Sequence, residues 1–194
     1  NGGSSIAFQY DDDGFLTQAG NLSLAYDAQN GLLQNTTLGS ATDALSYSTF
    51  GEPSHYTAAY NGSDLFDVQY SYDNLGRITQ KIETIGGATT TYGYSYDAAG
   101  RLAGVTQNGA TAAAYTYDAN GNRLTGPNSA NGSYDNQDRL LSYGSNTYTY
   151  TPDGDLLTKT NGGQTTTYDY DALSNLMGVT LPDNTAITYV VDGQ

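Results

Sequence analysis

The chain has one histidine, His55, directly after Ser54, together with 18 aspartates and two glutamates, so the first chemistry to weigh is a serine nucleophile activated by an imidazole and oriented by a carboxylate. Such a triad is defined by geometry, and no G-x-S-x-G elbow surrounds Ser54. His55 therefore reads as a loop histidine. A carboxylate pair for glycoside hydrolysis is easy to nominate but poorly supported. Nearly all aspartates lie beside turn-forming residues, and Glu52 and Glu83, which fall outside the repeat described below, have no acid-base signature around them.

Calcium is the next candidate. Asp11-Asp12-Asp13-Gly14 and Asp118-Ala119-Asn120-Gly121-Asn122 crowd oxygen ligands as calcium loops do, yet neither carries the terminal bidentate glutamate of an EF-hand. Acidic turn chemistry is the preferred reading. The 19 tyrosines would suit a sugar-stacking platform, with Asn, Asp and Thr supplying hydrogen bonds. Their recurrence in one frame favours an aromatic packing ladder instead. The four arginines, Arg77, Arg101, Arg123 and Arg139, each fall four or five residues after an aspartate. This spacing predicts a ladder of partly exposed ion pairs between neighbouring turns, with an anion-binding row as the alternative. The expectation is a chain without catalytic residues, metal ligands or cofactor.

The elements that hold these residues follow from composition. Tyr, Thr and Val suit pleated strands, while 24 glycines and many Asn and Asp residues punctuate turns, so almost no helix is expected. A net charge of -14 opposes nucleic acid and anionic membrane surfaces as partners. No apolar run is long enough for a membrane-spanning helix, Asn1–Ser5 lacks signal-peptide character, and without cysteine the redox compartment is unreadable.

Internal repetition organises everything else. Tyr-Asp recurs at 10, 26, 72, 96, 117, 134 and 170, with degenerate copies at Tyr47, Tyr150 and Tyr189. The unit is roughly twenty residues. Its best copies run from Tyr70, Tyr72, Asp73, Gly76 and Arg77 and from Tyr94, Tyr96, Asp97, Gly100 and Arg101, in the form Y-x-Y-D-x-x-G-R-[IL]. Tyr115, Tyr117, Asp118, Gly121 and Arg123 follow closely, and Tyr134, Asp135, Arg139, Tyr170 and Asp171 keep parts of the pattern. Alternation places the two tyrosines on one strand face, Asp starts a turn, and Gly accepts positive φ. Gly31 comes one residue late, and Asp138 and Ser174 replace the glycine; the Ser174 turn is the least favourable.

Asn-Gly at 61, 108, 131 and 161 marks hairpin turns at the opposite end. The sequence thus predicts about ten hairpins side by side, in one domain spanning 1–194. Residues 36–66 are the least regular stretch, with Thr49-Phe50-Gly51-Glu52-Pro53 in place of the Asp turn, and Ala110–Ala114 reads as a strand arm.

Y-x-Y-D-x-x-G-R-[IL] repeated at this spacing resembles the YD-repeat, or RHS, family over nearly the whole chain. The resemblance implies an all-β fold of tandem antiparallel β-hairpins in a curved, spiralling sheet, part of a hollow shell. It also implies a scaffold rather than an enzyme: bacterial members enclose or display a C-terminal toxin, and animal teneurins use a similar barrel in adhesion. Tyr189-Val190-Val191-Asp192-Gly193-Gln194 resembles a segment near the close of bacterial repeat regions. The chain is then expected to be a fragment of a secreted or cell-surface bacterial protein. Its partners would be the remainder of its own chain and a cargo domain, possible glycan or protein receptors outside, and copies of itself through exposed strand edges. A carbohydrate-binding or adhesive module is the alternative.

Overall fold

The computed structural model describes residues 6–127 and 130–191. Asp192, Gly193 and Gln194, half of the closing segment singled out above, lie outside the described residues. The chain divides into two compact units, residues 1–112 and 113–194.

The structure is all-β. Strands β1 (Phe8–Tyr10), β2 (Leu16–Ala19), β3 (Leu22–Tyr26), β4 (Leu33–Leu38), β5 (Ala41–Tyr47), β6 (Pro53–Tyr60), β7 (Ser63–Tyr72), β8 (Ile78–Ile85), β9 (Ala88–Tyr96), β10 (Leu102–Gln107) and β11 (Ala110–Ala114) form one sheet in sequence order. A second sheet holds β12 (Gly132–Tyr134), β13 (Leu140–Tyr143), β14 (Asn146–Tyr150), β15 (Leu156–Asn161), β16 (Gln164–Tyr170), β17 (Leu176–Thr180) and β18 (Ala186–Thr188), again in order. Each is an antiparallel meander that does not close into a barrel.

A single-layer sheet has little interior. Among the described hydrophobic residues only Val68 and Ala113 are buried, at 3% and 9% exposure. Stability must therefore come from neighbouring hairpins rather than from a core. The two faces differ in chemistry. On one, Tyr70 opposes Lys81, which opposes Tyr92, and the Lys81 ammonium sits 4.4 Å from the Tyr92 ring while pairing with Glu83 at 2.8 Å. The other carries cross-strand hydroxyl pairs, Thr84–Thr89, Ser133–Ser142 and Thr149–Thr158 among them.

Wherever a strand that ends in a motif tyrosine has a full partner strand, that following strand is bulged opposite the tyrosine. Ser71 pairs with Gln80 and Tyr72 with Ile78, leaving Thr79 as the extra residue, and the same slip recurs at Tyr10, Tyr26, Tyr47, Tyr96, Tyr134, Tyr150 and Tyr170. A bulge bends its strand and increases twist, so repetition at one end of the hairpins imposes curvature in one sense. At Tyr47 the extra residue is Ser54.

The opposite ends turn mostly in two residues. Asn61-Gly62, Gly86-Gly87, Asn108-Gly109 and Gly162-Gly163 have positive φ at both positions, whereas Gly20, Gly39 and Gly144 have it at the first. These are the two turn patterns whose twist matches a hairpin. Two of the Asn-Gly expectations need correction. The turn expected at Asn161-Gly162 lies one residue later, since Asn161 still pairs with Gln164. Asn131-Gly132 is not a turn: Asn131 bridges to Thr125, and the turn is closed by the Gly126 N–H donating to the Ala130 carbonyl.

Gly154 has φ +100 with nothing within 4 Å of where a side chain would begin, so Gly154→Ala tests backbone conformation alone. We expect a loss of about 1–2 kcal/mol, read as a lower urea midpoint at unchanged slope.

Candidate functional site

The recurrent feature is the turn after each motif tyrosine. In the turn after Tyr72, the Asp73 N–H donates to the Arg77 carbonyl at 2.9 Å and the Gly76 N–H to the Asp73 carbonyl at 3.0 Å. Asp73 Oδ1 then accepts the Leu75 and Arg77 N–H groups at 2.9 and 3.0 Å, and Oδ2 takes the Arg77 guanidinium at 2.7–2.8 Å. One carboxylate thus satisfies two backbone donors and one side chain. Asp97 with Arg101 and Asp135 with Arg139 repeat the arrangement.

The ion pairs therefore form inside one turn, not between neighbouring turns as expected. What joins neighbours is the next tyrosine. The Arg77 guanidinium lies 4.5 Å from the Tyr96 ring centre, and the Tyr96 hydroxyl donates to the Ile78 carbonyl at 2.7 Å. Arg139, Tyr150 and Leu140 are arranged alike, at 5.1 and 2.8 Å. The hydroxyls of Tyr26, Tyr47, Tyr72 and Tyr134 donate to the carbonyls of Leu16, Leu33, Pro53 and Arg123, always the residue after the arginine position of the preceding turn.

This frame relocates several residues. Phe15 holds the arginine position of its turn and stacks on Tyr26 at 5.0 Å. Arg123 does not hold that position: Asn122 does, donating to Asp118 from both its backbone and its side chain, while Arg123 sits 4.9 Å from the Tyr143 ring and 5.9 Å from Tyr115. Asn175 serves Asp171 in the same way. The irregular stretch around Phe50 is in frame after all. Ser48 stands at the aspartate position, and Glu52, which seemed outside the repeat, holds the arginine position and accepts the Ser48 hydroxyl. Thr151 and Asp155 hold the same two positions in their turn, with the Asp155 N–H donating to the Thr151 hydroxyl oxygen at 3.0 Å.

In several turns the glycine position faces the arginine position of the preceding turn. A side chain on Gly31 would begin 2.9 Å from Phe15, on Gly76 3.3 Å from Glu52, and on Gly100 3.4 Å from Arg77. Where Asp138 and Ser174 replace glycine, each makes a bond there. Asp138, φ +61, accepts the Asn122 side chain at 2.6 Å, and Ser174, also φ +61, donates to Asp155 at 2.8 Å. No local turn rule contains this signal; comparing each turn with the preceding one does.

His55 Nε2 pairs with Asp67 at 2.8 Å across β6 and β7. Among the described residues no group of three or more His, Asp or Glu side chains could hold a metal ion. Asp13 and Phe15 donate backbone N–H groups to Asp11, so that carboxylate is engaged in its own turn.

The Teneurin YD-shell family model matches residues 3–194. The chain belongs to this family. Mouse (Mus musculus) teneurin-4 is 31% identical over 170 residues, covering 84% of this chain and 6% of that protein, and zebrafish (Danio rerio) teneurin-3 is 32% identical over 157 residues, 77% of this chain and 6% of its own length. A crystal structure of TcdB2-TccC3 matches with TM-score 0.71 at 17% identity, over 91% of this chain and 12% of the other. The Photorhabdus luminescens Tc holotoxin pore matches with TM-score 0.69 at 16% identity and the same coverage. These structural likenesses establish the shared fold, and the chain spans a small part of each YD-shell relative.

Two outcomes follow from the turn geometry. The Arg77 side chain hydrogen-bonded to Asp73, the backbone N–H groups of Arg101 and Arg139 on Asp97 and Asp135, and the Asn122 and Asn175 side chains on Asp118 and Asp171 all hold these carboxyls below the ordinary range. A carboxyl lowered in the folded state contributes stability above its unfolded pKa of about 4, and loses it as pH falls through the folded value. Thermal unfolding from pH 7 to pH 2 should show the decline only in that acid limb, and Asp97→Asn, which keeps an oxygen acceptor without the charge, should shrink it. Tyr96→Phe, which keeps the ring on Arg77 but loses the donor, should cost about 1 kcal/mol by urea unfolding.

Proposed function

We propose that this chain is a length of wall in a YD-repeat shell, a non-catalytic scaffold that encloses or displays a C-terminal toxin or effector of a larger secreted or cell-surface bacterial protein. The observation that carries the reading is the tyrosine link between successive turns. At Tyr26, Tyr47, Tyr72, Tyr96, Tyr134 and Tyr150 it joins a hairpin to the one before by the same contact, so a wall can lengthen without acquiring a core.

Residues 1–194 are read as one array, because the motif frame runs through Tyr96, Tyr117 and Tyr134 unchanged. The structural role proposed for Tyr70, Tyr94, Tyr115, Tyr117 and the motif residues named above rests on that frame. The TcdB2-TccC3 likeness supports the fold of such a wall. A sugar-stacking platform draws no support from the linking tyrosines, since their hydroxyls are committed to backbone carbonyls.

The test uses the full-length parent protein. Native mass and denatured chain masses should reveal either a C-terminal fragment retained until unfolding or an intact chain whose C-terminal region resists protease until the shell is opened. A C-terminal region digested as readily in the native protein as in the unfolded one would remove enclosure and leave display on the outside.

A further inference from the structure

We propose that the notch between the turns Ser48–Glu52 and Asp73–Arg77 is a docking site for an arginine side chain presented by another polypeptide. The argument rests on what fills the equivalent place elsewhere. Phe15 fills it with a ring against Tyr26, and Arg77 and Arg139 fill it with guanidinium groups against Tyr96 and Tyr150. At two turns with short side chains the next turn reaches across, Asp138 to Asn122 and Ser174 to Asp155.

Glu52 has neither solution. Its neighbour across the gap is Gly76, which has no side chain to offer, and Glu52 forms none of the ion pairs found among the described residues. One carboxylate oxygen accepts the Ser48 hydroxyl; the other, Oε1, faces the gap. A solvent-open cavity of about 560 Å³ remains, lined by Phe50, Glu52, Tyr72, Asp73 and Leu75 among others.

The rim adds to this. Phe50 is 89% exposed and Leu75 76% exposed, so two successive turns carry large apolar tips at the position that Asp13, Gln29, Ala99, Asn120, Gln137 and Asp153 occupy elsewhere; the other large apolar tip among the described turns, Leu173 at 82%, stands between the polar tips Asp153 and Asp183. Two apolar tips flanking a carboxylate beside a tyrosine match an arginine in all its parts. The methylene stem packs on Phe50 and Leu75, and the planar guanidinium meets Glu52 Oε1 beside the Tyr72 ring. Burial and the nearby Glu52 charge both push the Tyr72 phenol pKa up, in keeping with a negative group beside that ring.

The occupant comes from another protein rather than a second copy. Arg77, Arg101 and Arg139 are each paired with the aspartate of their own turn, and Arg123 lies against Tyr115 and Tyr143, so a second copy would have to dismantle one turn to fill another. The net charge of -14 favours approach of a basic partner segment.

The 194-residue chain can be titrated with N-acetylarginine amide while its amide resonances are followed by NMR. Saturable shifts should concentrate at Phe50, Glu52, Asp73 and Leu75. Affinity should fall about tenfold with the uncharged N-acetylcitrulline amide and in Glu52→Gln, as expected on losing one charge-assisted pair. A double variant, Ser48→Asp with Glu52→Arg, rebuilds the ordinary turn; it should raise Tm and abolish binding, and it keeps the test decisive if Glu52→Gln fails to fold. Shifts scattered over the other acidic turns, undiminished binding in either variant, or equal binding of N-acetyllysine amide would overturn the assignment. So would dimerisation of the chain that Glu52→Gln abolishes.

Discussion

The contact on which the rest depends is a tyrosine hydroxyl reaching back to a backbone carbonyl of the preceding turn, with its ring against that turn's arginine position. A lone hairpin is marginal in water because it has nothing to bury its apolar face against. Here that face is covered edgewise by the next repeat rather than by a second layer. Such a wall has few fully buried residues, and its hydrogen bonds and ring contacts carry work that close packing performs in a globular domain. Each link is modest, of order 1 kcal/mol, so cohesion must accumulate along the array.

The aspartate makes that contact reproducible. By accepting two backbone N–H groups and an arginine or asparagine side chain, it fixes where the side chain at the arginine position points. Without this clamp the guanidinium would be free in water, and the ring of the next repeat would have no defined surface to lie on. The bulge opposite each tyrosine supplies the other half, since the extra residue on the strand that leaves the turn bends that strand just beyond the clamp. Clamp, bulge and link form one device, and curvature comes with it rather than being added.

Much of this was legible in the sequence. Period-two aromatics, Asp followed by Gly, and Asn-Gly pairs specify strands and turns through local physics, and Ala110–Ala114 became a strand despite its helix-favouring composition because turns and tyrosines bracket it. Positive φ at Gly31, Asp138 and Ser174 was equally readable. The partners of the charged groups were not. Spacing placed Asp and Arg near each other but could not say that a turn closes its own pair. Arg123, one residue late, was read into a place that Asn122 holds. Glu52 falls outside a frame defined by Asp, whereas the backbone needs only an acceptor at that position, and Ser48 provides one.

That tolerance explains how the repeat can drift while the wall stays intact. The backbone demands an acceptor at the first turn position and positive φ near the end, and both demands are met by several residue types. The arginine position answers to a different constraint, the space beneath the following turn. Phe15 under Gly31, Arg77 under Gly100, Asn122 under Asp138 and Asp155 under Ser174 are four solutions to one problem, in which bulk on one side is matched by its absence on the other, or polarity by polarity. A substitution in such a chain acts on adjacent turns as pairs. A turn whose occupant and neighbour leave the space unfilled, as Glu52 and Gly76 do, is then a place where the wall is complete as backbone but open as chemistry, and so a place where something outside the repeat can bind.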